Sequence, residues 1–244
     1  MKIIATSEMT IYDDLKKICD GAGVLCDKKI ALKIEINNKE KSQNKKYDIG
    51  FKNIIFQSKN AVKFSKNIHS YLLNNKKSLI YCIGKYTMTE IKKYFKNEIR
   101  YPENNYSSES LLDLIKQEGV KENNYLIVKG EDGRDYLEKE IKKHGGAVQI
   151  ANVYRRVPIK SFISEEDLMG KDNNYLIVSS RIALNELVTS IIKFRTSYNI
   201  VLVVPNNRVS ENIQQGLFKD IIVICNSSDA KTYANIIGIH NEKN

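Results

Sequence analysis

The expected fold is α/β: two similar lobes, each a doubly wound parallel sheet with helices on both faces. Three observations carry that expectation. The first is a doubled pattern. FKNIIFQSKNAV at 51–62 matches NNYLIVSSRIAL at 173–184, an apolar strand running into a serine with a helical pattern behind it. The serines, Ser58 and Ser180, are 122 residues apart. SLIYCIGKYTMTEI at 78–91 matches NIVLVVPNNRVSENI at 199–213. ENNYSSESLLDLI at 103–115 matches ICNSSDAKTYANII at 224–237, with Ser107 and Ser227 120 residues apart. The second observation is that short apolar runs alternate with helical patterns along the whole chain, the signature of parallel strands joined by crossover helices. The third is that runs such as LIYCI, IVLVV and IIVIC are apolar at every position, as strands buried on both faces must be.

In order, strands are predicted at 2–5, 29–36, 52–57, 78–83, 124–129, 147–157, 174–179, 199–204 and 220–225. Helices are predicted between most of them. After Ser58, the residues Ala61, Phe64, Ile68 and Leu72 recur at three- and four-residue steps and predict one buried helical face. Two segments break the alternation. KKIALKIEI at 28–36 runs into the polar NNKEKSQNKK at 37–46, and AVQIANVYRRVPIKSF at 147–162 is long and extended. They are expected to link the lobes, at about 33–38 and 151–159, and to flex as a hinge. Lobe one is then 1–35 plus 160–244, and lobe two 36–152. The hexapeptide NNYLIV occurs at both 123–128 and 173–178, an offset that does not fit the larger repeat. It is read as two similar strands entered through similar turns.

Lys and Arg exceed Asp and Glu by 39 to 29, giving a net charge of +10. Such a surplus favours anionic partners, although many of the lysines are solubilising surface residues. The basic residues are dispersed without aromatic interleaving, which argues against a nucleic-acid-binding module. No apolar run is long enough for a signal peptide or a membrane span, so a cytoplasmic protein is expected. Cys19, Cys26, Cys82 and Cys225 form no paired motif and are expected to be reduced and mostly buried. His69, His144 and His240 are isolated, so no metal site is expected.

The candidate site residues follow apolar strands. They are Ser58 and Lys59, Lys85 and Thr87 in the turn after 78–83, Gly130 and Arg134 in KGEDGR, Ser180 and Arg181, and Asn207. In an open α/β sheet these positions are the carboxyl ends of strands, where ligands bind. Each turn also opens a helix whose free N–H groups favour an anion. Two lobes imply a cleft between them, and cations spread around it suit a ligand carrying several separate negative charges. Ser58 and Ser180 are equally good helix N-caps, which is the commoner use of a serine there. Tyr154, in VYRRVP on the return linker, is flanked by Arg155 and Arg156, which raises it above a packing residue.

Taken together, IIFQSKNAV at 54–62, IGKYTMTEI at 83–91, LIVKGEDGRDYLEKEIKKHGG at 126–146, ANVYRRVP at 151–158, LIVSSRIAL at 176–184 and NSSDAKTYANII at 226–237 resemble the uroporphyrinogen-III synthase family. The resemblance covers nearly the whole chain in order. It implies two flavodoxin-like lobes joined by a two-stranded linker. It also implies a cofactor-free, cytoplasmic step of tetrapyrrole (haem) biosynthesis by a monomer that needs neither metal, nucleic acid nor membrane. The implied substrate is hydroxymethylbilane, a linear tetrapyrrole polycarboxylate. It loses its hydroxyl as water, inverts ring D through a spiro intermediate and closes to uroporphyrinogen III. Tyr154 matches the family's linker tyrosine, which would assist loss of the hydroxyl. The family's usual Thr-Ser pair is Gln57-Ser58 here, its pair in lobe one is Ser179-Ser180, and its Gly-Pro-Thr-Thr turn is Val204-Pro205-Asn206-Asn207. The alternative from the residues alone is a non-catalytic two-lobed binding protein for a polyanionic small molecule.

Overall fold

The computed structural model describes residues 1–6, 11–37, 50–66, 68–69, 77–224 and 229–239. The chain opens with β1 (Lys2–Ala5), α1 (Tyr12–Gly21), β2 (Leu25–Lys28) and β3 (Leu32–Ile36). It continues through β4 (Asn53–Phe56), α2 (Lys59–Phe64), β5 (Leu79–Cys82), α3 (Lys85–Ile91), β6 (Ile99–Arg100) and α4 (Ser108–Gln117). Next come β7 (Asn124–Gly130), α5 (Tyr136–Lys143), β8 (Ala147–Pro158), β9 (Asn173–Ile177) and α6 (Arg181–Ile191). The last elements are β10 (Asn199–Val204), α7 (Asn207–Ser210), β11 (Asp220–Val223) and α8 (Ala230–Ile237).

Two compact units result: residues 1–33 with 157–244, and residues 34–156. Unit one holds a sheet ordered β11-β10-β9-β1-β2, all pairs parallel. Counted along the chain this is 2-1-3-4-5 from its β2 edge, the flavodoxin-like order. Unit two holds the order β3-β8-β7-β4-β5-β6, parallel from β8 to β6. Its order differs because the chain is permuted and because β3 adds a sixth strand at the edge beside β8. The sequence repeat equates β4, β5 and β6 with β9, β10 and β11, and sheet position then equates β7 and β8 with β1 and β2. Helix packing repeats as well: α2 packs on α3 as α6 packs on α7, and α4 packs on α5 as α8 packs on α1. Helices and strands therefore obey one plan, written once continuously in unit two and once split across the two chain ends in unit one.

Burial explains the all-apolar strands. In unit one Ile3, Ala5, Ile177 and Val203 face one core, whereas Ile4, Leu176, Leu202 and Val204 face the other. In unit two Ile54, Phe56, Leu126 and Val128 face one core, and Ile55, Tyr125 and Ile127 the opposite one. Each such side chain gains about 1.5–3 kcal/mol from burial, so both faces must be covered by helices.

Three readings need correction. The run at 29–36 is not one strand. Its first half continues the ladder of unit one (Lys29 N–H to Ala5 O 2.9 Å, Ala31 N–H to Thr6 O 2.9 Å), and its second half is β3 beside β8. Apolar periodicity does not register a change of partner. Two edge strands were missed: β2, with only Cys26 buried, and β6, only two residues long. The helix after Ser58 is interrupted at Ser65, whose hydroxyl donates to Val62 O at 2.8 Å and competes for the helical carbonyl, and helical conformation resumes at Lys66. Ala61 and Ile68 are buried as expected. Leu72, Cys225, Ser227, His240 and most of the polar run at 37–46 lie outside the described residues. Cys19, Cys26 and Cys82 are free and buried. No helix among the described residues is long and apolar enough to cross a membrane.

Candidate functional site

The site is clearest in unit two, at the carboxyl ends of β4, β7 and β8. Its centre is Tyr154. The β7–β8 ladder runs in register until Lys129 faces Asn152; then Gly130 faces Tyr154, leaving Val153 as an extra residue. A bulge of this kind re-aims the side chains beyond it. Strict alternation would send Tyr154 to the face opposite Ala151 and Val153, yet all three join the same core cluster. The ring is only 3 % exposed. It packs 5.9 Å from Phe64, centroid to centroid, and lies over Gly130. A Cβ at Gly130 would sit 2.6 Å from the ring's Cζ, so this glycine is required by the tyrosine itself.

Among the described residues the Tyr154 hydroxyl has two polar neighbours. Ser58 Oγ lies 3.2 Å away and also accepts the Ala61 N–H at 3.1 Å, capping α2. Arg156 Nη2 donates to the phenol oxygen at 3.3 Å. Arg156 is in turn held by Asp132, whose two carboxylate oxygens both lie 2.7 Å from its Nη1. Burial is the largest influence and works against the Arg156 charge, but the Asp132 hydrogen bond and the charge interactions with Tyr154 and Asp132 together outweigh it and raise the guanidinium's pKa. Asp132 stands in the turn after β7. That turn is tied by Lys129, 4 % exposed, which donates to Gly133 O at 3.0 Å and pairs with Asp135. Lys129 holds the Asp135 carboxyl below its ordinary pKa.

Ser58, Gly130 and Tyr154 thus meet. Lys59 and Lys85 open α2 and α3, which pack together, with Lys59 half-buried and Lys85 exposed. Thr87 is buried in the first turn of α3. Arg134 is exposed and pairs with Glu109 at 2.8 Å. Its carbonyl lies 3.5 Å from Gln57 Nε2, at the position where the family's usual threonine is replaced. Tyr106, half exposed, covers Gly84 so closely that a Cβ there would come within 2.7 Å of the ring. In unit one Ser180 caps α6 through the Ala183 N–H at 3.3 Å, repeating the role of Ser58. Arg181 spends its Nη1 on Val209 O at 3.0 Å, and Asn207 opens α7 on the surface. A separate cavity of about 350 Å³ is lined by Lys92, Phe95, Lys96, Ile99 and Tyr101. It lies at the β6 flank, with β7, β4 and β5 between it and β8.

Sequence reasoning missed Arg156 and Asp132 as site residues. For Arg156 a signal was present: residues two apart on a strand share a face, so an arginine two beyond Tyr154 belongs beside it. Asp132 carried none, because only the turn's fold brings it there.

A doubled parallel α/β fold, with hydroxyls, cations and helix-opening residues placed at strand ends, defines a two-unit protein of the flavodoxin-like type. The family model for uroporphyrinogen-III synthase HemD matches residues 31–231, and the chain belongs to that family. It is 33 % identical over 86 residues to uroporphyrinogen-III synthase of Proteus mirabilis. That match covers 35 % of this chain and 43 % of the relative, so less than half of the relative's length is spanned. The fold is similar to uroporphyrinogen-III synthetase of Helicobacter pylori (TM-score 0.63, 14 % identity, 98 % and 99 % of the two chains covered). It is also similar to a mutant uroporphyrinogen III synthase of Thermus thermophilus (TM-score 0.56, 11 % identity, 97 % of each chain covered).

Proposed function

We propose that this chain is a uroporphyrinogen-III synthase: it cyclises hydroxymethylbilane, with loss of water and inversion of ring D, without a cofactor. The observation that carries the reading is the family match across 31–231. The Tyr154 and Ser58 hydroxyls, with the Arg156 guanidinium beside them, give it a chemical centre. The substrate closes unaided to the symmetric type I isomer, so the catalyst's task is to hold a flexible polyanion in the conformation that leads to type III. That task calls for many distributed donors rather than one strong acid. In this reading Ser58, Lys59, Lys85, Thr87 and Arg134 of unit two, and Ser180, Arg181 and Asn207 of unit one, offer donors to carboxylates through side chains and helix-opening amides, whereas Gly130, expected among them, gives its space to the Tyr154 ring. Arg134 reaches a ligand by giving up an exposed pair with Glu109, which costs about 0–1 kcal/mol.

Tyr154 assists departure of the substrate hydroxyl. Its O–H, directly or through Ser58, donates to the leaving oxygen, which departs as water. The proton returns when the last pyrrole carbon loses its own on ring closure. General-acid assistance of this kind is worth about 10²–10⁴-fold. The enzyme is expected to work as a cytoplasmic monomer on a soluble polyanion, with neither nucleic acid nor membrane as partner. To test the function, the purified protein is incubated with enzymatically generated hydroxymethylbilane and the porphyrinogen isomers are separated. Type III in excess of the buffer control is expected. Type I alone, at the buffer rate, would overturn the reading and favour the non-catalytic binder.

A further inference from the structure

We propose that Arg156, anchored by Asp132, is a positioning residue that sets the direction of the Tyr154 proton. This rests on the reading of Tyr154 as the proton-donating group.

The argument begins with donor capacity. A guanidinium only donates, and a phenol oxygen has one proton and room to accept. Arg156 Nη2 at 3.3 Å therefore occupies an acceptor site on the Tyr154 oxygen, and the phenol proton cannot point that way. The remaining polar neighbour is Ser58 Oγ at 3.2 Å, which already accepts from Ala61 N–H at 3.1 Å. Two arrangements are left. Tyr154 donates to Ser58, whose own proton then faces outward, or Ser58 donates to Tyr154, whose proton is free for a bound molecule. In both, one hydroxyl proton of the pair is available to a departing oxygen, and Arg156 keeps the phenol proton from pointing towards the guanidinium instead. When that proton leaves, the charge appearing on the phenol oxygen already has a cationic donor in place, and charge-assisted bonds are about twice as strong as neutral ones.

The guanidinium could do this only if it were fixed. Nη1 is shared between both Asp132 oxygens at 2.7 Å, and the guanidinium carbon stands 5.5 Å from the Tyr154 ring centroid. Asp132 is placed by the turn that buried Lys129 ties to Gly133 and Asp135. About 30 % of each side chain in the Arg156–Asp132 pair is exposed (31 % and 29 %), so stability is a poor reason for the pair. Orientation is a better one.

The test is steady-state kinetics on the intact chain with hydroxymethylbilane, scoring type III formation. Arg156→Gln should lower kcat about 10-fold or more with KM within about twofold, because a general acid's contribution is being misdirected rather than substrate released. Asp132→Asn should act in the same direction and less strongly. In a Tyr154→Phe background, Arg156→Gln should add nothing, since the hydroxyl it positions is gone. Arg156→Lys keeps a charged donor and should recover part of the loss; it also serves if Arg156→Gln does not fold. An unchanged kcat overturns the inference. So does a rise in KM alone, which makes Arg156 a substrate contact, or an equal loss in the Tyr154→Phe background. If the parent protein yields only type I isomer, the functional reading itself has failed. If the parent yields type III and Tyr154→Phe is silent, this inference falls and the function stands.

Discussion

At Tyr154 a bulge, a glycine and an arginine converge on one hydroxyl. The residue was legible as unusual because a tyrosine between strand-end residues and a pair of arginines is poorly explained by packing. What the sequence did not show is that Gly130 serves Tyr154. The glycine was singled out as a candidate ligand-site residue of the KGEDGR turn, and its open side is filled instead by the tyrosine ring at 2.6 Å from a would-be Cβ. Gly130→Ala should therefore displace the ring. We expect a stability loss of about 1–3 kcal/mol from overpacking, and type III formation lowered at least as far as by Tyr154→Phe. Pairing Gly130→Ala with Tyr154→Leu should restore the melting temperature without restoring turnover. An Ala variant as active as the parent would mean that the ring position is immaterial.

Among the elements, the two capping serines offer a controlled comparison. Ser58 and Ser180 each accept one first-turn N–H, and replacing either by Ala should cost about 0.5–2 kcal/mol. Only Ser58 also touches Tyr154. Urea denaturation should show similar losses for both, whereas type III formation should fall further for Ser58→Ala. Equal activity losses would show that the caps matter only as caps. The turn after β7 makes a second case. Asp135→Ala leaves the charge of Lys129 buried with Gly133 O as its one partner among the described residues, at a cost of about 1–3 kcal/mol. Lys129→Met removes that charge and should be milder, so the reverse order in denaturation midpoints would contradict this account. The sign with pH follows: Asp135 is depressed in the folded state, so its contribution is complete above its unfolded pKa of about 3.9 and fades as pH falls through the folded value. Asp135→Asn should flatten the acid limb below about pH 4. The repeated hexapeptide also gains a reason here. Asn124 clasps the backbone of Gly50 and Lys52 (3.1 and 2.8 Å), and Asn174 clasps that of Met169 (2.8 Å both ways). Two strands in different sheets thus use one solution for fastening a preceding or neighbouring loop.

Across the whole molecule, the permutation sets what must unfold together. β1 lies between β2 and β9, so strands at opposite ends of the chain share one ladder, from Lys2 against Asn174 to Ala5 against Ile177. Hydrogen exchange should accordingly give the amides of Ile3–Ala5 the protection of Leu176 and Ile177, despite about 170 residues of intervening chain. If β1 exchanged with the loops while β9 stayed protected, unit one would not be a single cooperative body.

The sequence alone determined that the chain is doubled, that its strands are buried on both faces and that its candidate site residues follow strand ends. These are local properties: periodicity, apolar runs and capping residues are written in neighbouring letters. The family resemblance rested on the order of such pieces. Tertiary structure decided the rest. It split one apolar run between two sheets, because periodicity does not say which partner a strand will meet. It turned Tyr154 towards Ser58, because a bulge exists only relative to the strand beside it. It also brought Asp132 to Arg156 and emptied Gly130 of any side chain for the sake of a ring 24 residues further along the chain. Each of these depends on contact across distance in the sequence, which no local pattern records.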